Sequence, residues 1–256
     1  MQLLAPRRRV RSRGLQFTLS CDNWITEYRW KTYNSKEPET LDWIDQWLQD
    51  GDIFFDIGAN IGLYSIYAAL RHPRIRVMAF EPEYANLHLL KDNILANNLE
   101  ARIEVYSLAF SSETGLSHLH IQDATPGAAL HTESREPVDL TREQRPVVWR
   151  EGIYAFTLDD FCQLAEVSPH HLKLDVDGTE PEILEGASRT LRSEKLRSLF
   201  VEIPSDPVSR RTCRRLLEDA GLVRQWYDSQ THSPNEIWAR PGERPREMEA
   251  SLGGSS

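Results

Sequence analysis

Apolar runs of strand length alternate with longer segments of helical periodicity through most of the chain, from Gly14 to Arg240. This alternation is typical of βαβ units, in which helices join the parallel strands of one sheet and cover its faces. We therefore expect an α/β fold with a doubly wound, mostly parallel sheet and helices on both faces. Seven strands are predicted, at residues 53–57, 76–80, 103–108, 172–176, 198–203, 222–227 and 236–239.

The domain limits follow from the ends of this alternation. Residues 15–240 are predicted to form one domain, with an insertion at 111–150 that is too long for an ordinary loop and is expected to cover an acceptor site. Five arginines lie between Arg7 and Arg13 with no apolar stretch behind them, so residues 1–14 are expected to be a basic flexible tail. Residues 241–256 are rich in Pro, Gly, Glu, Arg and Ser and are expected to be disordered.

Charge and composition restrict the partners of the chain. It carries 30 Lys and Arg against 39 Asp and Glu, a net charge of −9, so a nucleic-acid partner is not expected. No window reaches the roughly 18 consecutive apolar residues of a membrane span, and no membrane association is expected. Cys21, Cys162 and Cys213 lie too far apart to suggest a disulfide framework or a zinc site. A cytoplasmic location and a small neutral or cationic substrate are predicted.

A turn rich in glycine follows the first core strand and contains Asp56, Gly58, Asn60 and Gly62. In doubly wound sheets such a turn lies where ligands bind, outside the carboxyl ends of the strands. Gly58 is expected to have a positive φ and Gly62 to let the chain pass close to a ligand, while unpaired amide N–H groups face an anion. These amides suit a carboxylate, and Asp56 suits an ammonium group.

A second acid, Glu81, follows the second predicted strand, where a carboxylate can accept hydrogen bonds from both ribose hydroxyls. Ser107, at the end of the third strand, is a further candidate for cofactor binding. An acid in this place fits S-adenosyl-L-methionine and NAD alike. The glycine spacing distinguishes them, since the run G-A-N-I-G from Gly58 lacks the G-x-G-x-x-G pattern of dinucleotide sites. An adenosyl cofactor with an amino-acid end is therefore predicted, and an NAD-dependent oxidoreductase remains the alternative.

Four blocks of sequence together indicate a family. They are F-D-I-G-A-N-I-G-L-Y-S from Phe55, F-E-P from Phe80 with Asn86 behind it, T-L-D-D-F from Thr157, and K-L-D-V-D-G-T-E from Lys173 with L-E-G-A after it. On these blocks, over roughly residues 40–203, the chain resembles the FkbM-type S-adenosylmethionine-dependent methyltransferases. The resemblance implies a class I methyltransferase fold, Rossmann-like, with a seven-stranded sheet whose last strand is antiparallel. It also implies methylation of hydroxyls on sugars, polyketides or related metabolites.

The block from Lys173 supplies the predicted catalytic group. Asp175 is expected at the mouth of its strand, where a carboxylate orients or deprotonates the acceptor hydroxyl or binds the cofactor amine. Asp177 and Glu202 are further catalytic candidates, and Glu180 is a weaker one. Family members usually carry Glu and Ala where this chain has Asp177 and Thr179, which leaves the choice of substrate open.

Other polar residues near these positions have structural explanations. Thr179 and Glu182 form the pattern of a capping box, so a structural role is predicted for Glu182. The pairs His118/His120 and His170/His171 are read as surface or packing residues. Converging acids would suit magnesium, but no metal site is predicted. The function predicted is methyl transfer to a hydroxylated small molecule, and the alternatives are an NAD-dependent oxidoreductase and a catalytically silent adenosyl-binding module.

Overall fold

The structure, a computed structural model, describes residues 6–129, 131–135, 147–227 and 233–246. Within these residues, no helix is both long and apolar enough to cross a membrane. The elements are β1 (Arg7–Ser12), β2 (Leu15–Ser20), α1 (Trp24–Thr32), α2 (Pro38–Trp47), β3 (Ile53–Ile57), α3 (Leu63–Arg71), β4 (Arg76–Phe80), α4 (Tyr84–Ala96), β5 (Ile103–Tyr106), β6 (Ala109–Phe110), β7 (Gly115–Ile121), β8 (Thr132–Ser134), β9 (Trp149–Phe156), α5 (Leu158–Leu164), β10 (His171–Leu174), α6 (Glu180–Glu185), α7 (Ser188–Arg192), β11 (Ser198–Glu202), α8 (Pro207–Asp219), β12 (Val223–Tyr227) and β13 (Asn235–Ala239).

Seven strands form the central sheet, in the order β12, β13, β11, β10, β3, β4, β5. The neighbours from β11 to β5 are parallel, and β13 is antiparallel to both β11 and β12. The predicted sheet with its antiparallel last strand is therefore confirmed. The bounds of β3 and β4 agree with prediction, but β10 ends two residues early, at Leu174. Asp177 and Gly178 both have a positive φ, which turns the chain away from the sheet.

Side chains that alternate along β3 enter two separate cores. Phe54 packs against Trp43 of α2, with ring centroids 5.7 Å apart, in a core that also includes residues of α3 and α4. Phe55 packs on the other face against Phe161 of α5, at 6.0 Å, with residues of α6, α7 and α8. A parallel strand covered on both faces has a nearly continuous apolar sequence, and in β3 only Asp56 interrupts it. Helices thus cover both faces of the sheet, as predicted.

The arginine run near the start differs from its prediction as a flexible tail. Residues Arg7–Ser12 form β1, which pairs antiparallel with β2. Phe17 and Leu19 of β2 are buried in the first core, and Asn97 and Asn93 of α4 accept hydrogen bonds from the backbone of β2, each at 2.8 Å. Burial of these alternating apolar side chains holds the hairpin on α4. Residues 1–5 lie outside the described part of the chain.

The predicted C-terminal tail at 241–256 is described only as far as residue 246. The backbone N–H of Arg246 donates to the carbonyl of Gln46 in α2, at 2.8 Å. The first residues beyond β13 therefore fold back onto the domain, and the prediction of disorder for 247–256 falls outside the described residues.

The insertion at 111–150 contributes strands to a second sheet. β7 pairs antiparallel with β9 and β8, β9 also pairs with β6, and the strand order is β6, β9, β7, β8. Residues 130 and 136–146 lie outside the described residues. The prediction of a cover did not include these strands, which are only partly apolar.

The helix predicted at 180–191 is divided into α6 and α7. At Gly186 between them, a Cβ atom would lie 2.3 Å from the carbonyl oxygen of Ser111, so this close approach requires glycine. The predicted capping box is wrong: the Thr179 side chain makes no capping hydrogen bond, and its φ of −99° and ψ of 16° differ from the extended conformation of a capping residue. Glu182 therefore has no capping partner in Thr179.

Candidate functional site

The turn after β3 carries three residues with positive φ: Gly58 at 79°, Asn60 at 50° and Gly62 at 86°. A Cβ atom on Gly58 would lie 1.8 Å from the carbonyl oxygen of Asp175. Gly58 is thus required both by its φ and by the end of the neighbouring strand β10. A Cβ atom on Gly62 would meet the Leu90 side chain of α4 at 2.5 Å, so Gly62 packs against a helix rather than making room for a ligand.

The amide groups of this turn are bonded within the protein. The N–H groups of Gly58 and Ala59 both donate to the carbonyl of Phe80, at 3.1 and 3.0 Å, and that of Asn60 donates to Glu81 Oε2 at 2.8 Å. The next two donate within the turn itself. For residues 58–62 the expectation of unpaired donors is therefore wrong. The end of β4 takes up the first three amides because it lies beside the turn, a contact that sequence spacing does not reveal.

Asp56 lies beneath the turn and is only 1% exposed. Its Oδ2 accepts a hydrogen bond of 2.5 Å from Ser65 Oγ of α3, whereas its Oδ1 is buried without a hydrogen-bond partner, 4.0 Å from Lys173 Nζ. Burial raises the pKa of Asp56. Asp56 does not line the cavity described below, so its predicted contact with a ligand ammonium group remains a prediction.

Asp175, Asp177 and Glu202 are brought together as predicted, and the structure adds Lys173. All four line one cavity at the carboxyl ends of β10 and β11. The Lys173 ammonium group is 1% exposed and donates to Asp175 Oδ2 at 2.7 Å. Asp175 is also hydrogen-bonded to the Glu202 side chain. A carboxyl pair with one buried cation thus forms the centre of the site.

The charges in this pair are unequal. Burial alone would raise the pKa of Asp175, but the charge of Lys173 lowers it well below its usual range, so Asp175 is ionised at neutral pH. Burial and the hydrogen bond to Asp175 raise the pKa of Glu202 to about 9. Since two ionised carboxylates cannot share a hydrogen bond, Glu202 keeps the proton.

The cavity has a volume of about 770 Å³. This lies within the roughly 300–1,000 Å³ of small-molecule sites. One wall consists of the residues of the glycine turn from Gly58 to Asn60 together with the acidic cluster. Other lining residues come from α1, from the first half of α2 and the residues before it, from the start of α3, and from residues 226 and 233–235. Ala129 is the part of the described insertion that lines the cavity, so the predicted cover is built largely by other segments.

Glu81 and Ser107 have different surroundings. Glu81 is buried, and its carboxylate accepts hydrogen bonds from the backbone N–H groups of Asn60 and Glu83. Burial raises the pKa of Glu81 to about 7. A small apolar cavity of about 40 Å³ lies beside Phe80 and Pro82, which flank Glu81 in the chain. Ser107 is exposed and lines neither cavity.

The insertion is tied to the glycine turn by hydrogen bonds. The carbonyl oxygen of Ala128 accepts hydrogen bonds from the side-chain amides of Asn60 and Asn86, at 2.7 and 3.0 Å. The carbonyl of Gly127 accepts one from Arg29 of α1 at 2.7 Å. Sequence reasoning treated the insertion and the turn as independent. The structure instead links them through Asn60, so removing the insertion would also disturb the turn.

Glu180, a weaker catalytic candidate, supports the loop that follows β10. Its Oε1 accepts hydrogen bonds from the N–H groups of Val176 and Gly178, at 3.1 and 3.2 Å. Glu180 is 1% exposed and lines neither cavity, and burial raises its pKa to about 7. These contacts favour a structural role in holding the loop that carries Asp177.

The histidine pairs lie outside the cavity. His118 Nε2 lies 2.9 Å from Arg150 Nη2 on the second sheet. His171 lies 3.0 Å from Asp52 Oδ2 and 2.7 Å from Ser198 Oγ, an order familiar from hydrolases. Ser198 is completely buried at the amino end of its strand, so this series has no access to substrate. Over the described ranges, no group of three His, Cys, Asp or Glu side chains is placed to hold a metal ion.

Fold and site together define an α/β enzyme with a Rossmann-like sheet and a small-molecule site at the carboxyl ends of its strands. A family model described as the methyltransferase FkbM domain matches residues 56–232, which is more than half of the chain. The protein belongs to this methyltransferase family, as the sequence blocks indicated, and its fold is that of class I methyltransferases.

Two relatives and one solved structure illustrate the similarity. The chain is 33% identical over 96 residues to the 31-O-demethyl-FK506 methyltransferase FkbM of Streptomyces tacrolimicus, a match that covers 37% of this chain and 36% of that protein. It is 26% identical over 199 residues to methyltransferase sdnD of Sordaria araneosa, covering 68% and 75%. Aeropyrum pernix fibrillarin in complex with S-adenosyl-L-methionine aligns with a TM-score of 0.49 at 14% identity, covering 91% of this chain and 82% of fibrillarin.

Proposed function

We propose that this protein transfers a methyl group from S-adenosyl-L-methionine to a hydroxyl group of a small polar metabolite such as a sugar or a polyketide. The observation that carries the proposal is the meeting of the Gly58–Asn60 turn and the ionised Asp175 in one cavity. The Streptomyces relative, named a 31-O-demethyl-FK506 methyltransferase, supports an oxygen acceptor.

The residues present fit this cofactor. The cavity is large enough for a ligand of this size, and its wall offers carboxylates together with the cationic side chains of Arg29, Lys36 and Lys173. The amides of residues 58–60 are bonded to Phe80 and Glu81, and Lys173 is bonded to Asp175. The side chains of Arg29 and Lys36 are therefore the candidate partners of the ligand carboxylate. Glu81 would bind the ribose hydroxyls with the lone pairs that its two backbone hydrogen bonds leave free.

S-adenosyl-L-methionine, when bound, supplies a methyl group on a positively charged sulfur that leaves as a neutral thioether. Asp175 would accept a hydrogen bond from the acceptor hydroxyl, hold its oxygen toward the cofactor and take up the hydroxyl proton as the new carbon–oxygen bond forms. Its lowered pKa makes Asp175 a weak proton acceptor but a permanent anion at neutral pH. Orientation can account for about 7–11 kcal/mol of a reaction barrier. We therefore assign Asp175 mainly to orientation of the acceptor.

The two alternatives are less well supported. An NAD-dependent oxidoreductase would require the dinucleotide glycine pattern, which the turn lacks, and the family match favours methyl transfer. A catalytically silent binding module would share the cavity and the family. The experiment below distinguishes both alternatives from the proposal.

Calorimetry should show binding of S-adenosyl-L-methionine and S-adenosylhomocysteine and no binding of NAD. Transfer of labelled methyl groups should then be measured against a panel of hydroxylated metabolites. Asp175→Asn should lower the transfer rate by about 10²-fold, a typical effect of misplacing a reactant, while cofactor affinity is kept. Asp50→Asn, at the opposite edge of the sheet, is the matched control and should change neither quantity.

Each failure has a distinct meaning. The absence of heat with both adenosyl compounds would contradict the cofactor assignment. Binding without transfer to any acceptor would favour the silent module. Full transfer by Asp175→Asn would remove Asp175 from the mechanism.

A further inference from the structure

Lys173 begins the K-L-D-V-D-G-T-E block, and the proposed function does not explain why its charge is buried beside Asp175. It lies in the middle of β10, is 1% exposed and belongs to the largest fully buried side chains of the described structure. Burying an ammonium group is costly unless it is paired. Its Nζ lies 2.7 Å from Asp175 Oδ2, 4.0 Å from Asp56 Oδ1 and 5.2 Å from the centre of the Tyr64 ring.

These contacts place the cation beside Asp175. Lys173 donates to Asp175, and Glu202, at the end of the next strand β11, is hydrogen-bonded to Asp175. Two carboxyl groups that share a hydrogen bond hold one proton between them. The carboxyl nearer to a buried cation is the one that gives up the proton more easily.

We propose that Lys173 is a positioning residue whose ammonium group keeps Asp175 as the charged member of the pair and thereby leaves the single proton on Glu202. The inference rests on the proposed function, because it explains how the acceptor-orienting group stays anionic in a site crowded with acids. The other charged or titratable groups that act on the three residues are Asp56 on β3, Lys36 and Glu37 before α2, Tyr64 on α3, and Asp177 and Glu180 after β10.

These neighbours support the assignment. Glu37 accepts a hydrogen bond from the Tyr64 hydroxyl at 2.8 Å and is paired with Lys36 at 2.5 Å, so its charge is partly balanced by Lys36. Although burial alone would lower the pKa of Lys173, the charges of Asp175 and Asp56 raise it, so the ammonium group stays protonated across the accessible pH range. The protonation state of the Asp175–Glu202 pair is then set by the fixed positive charge of Lys173.

The test is an infrared titration of protonated carboxyl groups in the free protein, with Glu202→Gln and Asp175→Asn used to assign the signals. In the unaltered protein, the Glu202 signal should disappear at a pH of about 9. In Lys173→Met, Asp175 should become protonated at a pH about one to three units higher than in the unaltered protein. The signal of this second protonated carboxyl should be absent from the Lys173→Met/Asp175→Asn double variant. Glu81 also titrates near neutral pH, and its signal should be the same in all variants. The charge of Asp175 contributes to the raised pKa of Glu180, so the Glu180 signal should move to lower pH in Asp175→Asn.

Two controls complete the design. Lys173→Arg keeps the charge and should restore the behaviour of the unaltered protein, and Lys195→Met removes an exposed cation elsewhere and should have no effect. If Lys173→Met titrates like the unaltered protein, the inference is overturned. If that variant does not fold, Asp175→Asn replaces it, because removing the neighbouring anion should lower the pH at which Glu202 loses its proton by at least about one unit.

An unchanged Glu202 titration in Asp175→Asn would also overturn the inference. The titrations need neither cofactor nor acceptor, so they succeed or fail independently of methyl transfer. In an active preparation, the acid limb of kcat/KM should move upward by a similar amount in Lys173→Met. A merely structural lysine would lower the rate equally at every pH.

Discussion

Replacing Gly58 with alanine should destabilise the protein more than the same change at Gly51. Both glycines have a positive φ, 79° and 90°, which costs an alanine about 1–2 kcal/mol. At Gly51 a Cβ atom would have no neighbour within 4 Å, whereas at Gly58 it would lie 1.8 Å from the carbonyl oxygen of Asp175. Relief of that overlap requires movement of β3 or β10, and such overpacking costs about 1–3 kcal/mol.

The expected loss in free energy of unfolding is therefore about 2–5 kcal/mol for Gly58→Ala and about 1–2 kcal/mol for Gly51→Ala. The entropy that an alanine removes from the unfolded chain is the same in both variants and cancels in the difference. Urea unfolding measures both values, with the slope m checked for constancy. Calorimetry should also show weaker binding of S-adenosylhomocysteine by Gly58→Ala, and unchanged binding by Gly51→Ala.

Equal destabilisation of the two variants would refute this reasoning, because the difference comes only from contact between the turn and Asp175. Unchanged cofactor affinity in Gly58→Ala, together with the larger loss of stability, would show that the turn holds the sheet together but does not bind the ligand.

Two further predictions concern buried titratable groups. His171→Ala should lower the free energy of unfolding, measured with urea, by about 2–4 kcal/mol, because Asp52 and Ser198 lose a buried partner. Cofactor affinity should not change in this variant. A loss of affinity without a loss of stability would contradict a structural role for His171. Burial raises the pKa of Glu81 from 4.5 to about 7, so the folded state binds this proton more tightly and its contribution to stability should decline as pH rises through that window. If the ionised Glu81 carboxylate binds ribose, affinity for S-adenosylhomocysteine, measured by calorimetry, should rise over the same pH window. Glu81→Gln should remove the pH dependence of this affinity and also that of the free energy of unfolding, measured with urea at several pH values.

Elements buried on both faces could be predicted well from the sequence. The strand at Ile53–Ile57 has the predicted bounds because a central parallel strand needs a continuous apolar run. The positive φ at Gly58 was likewise predictable from an acid and glycine turn between strand and helix. The prediction for the arginine run was wrong, because the run itself is polar and the buried side chains that hold the hairpin alternate on the partner strand β2.

The roles of individual site residues depended on contacts between distant segments. The amides of the turn are bonded to Phe80 and Glu81, and Asn60 is bonded to Ala128 of the insertion, more than sixty residues away. Neither contact leaves a pattern in the local sequence. The pairing of Lys173 with Asp175 could have been predicted, since the two residues are two positions apart. Only the structure shows that Lys173 is buried and therefore cannot reach solvent.

The sequence by itself determined the class of fold, the positions of the core strands, the family and the group of residues that meet at the carboxyl edge of the sheet. These properties depend on local periodicity, on turn chemistry and on the order of the strands, all of which a linear sequence records. The tertiary structure alone decided which groups are free and which are already bonded, and that the buried Lys173 lies beside Asp175 in the acidic cluster. Hydrogen bonding and protonation depend on distance and burial between segments far apart in the chain, and these exist only once it has folded.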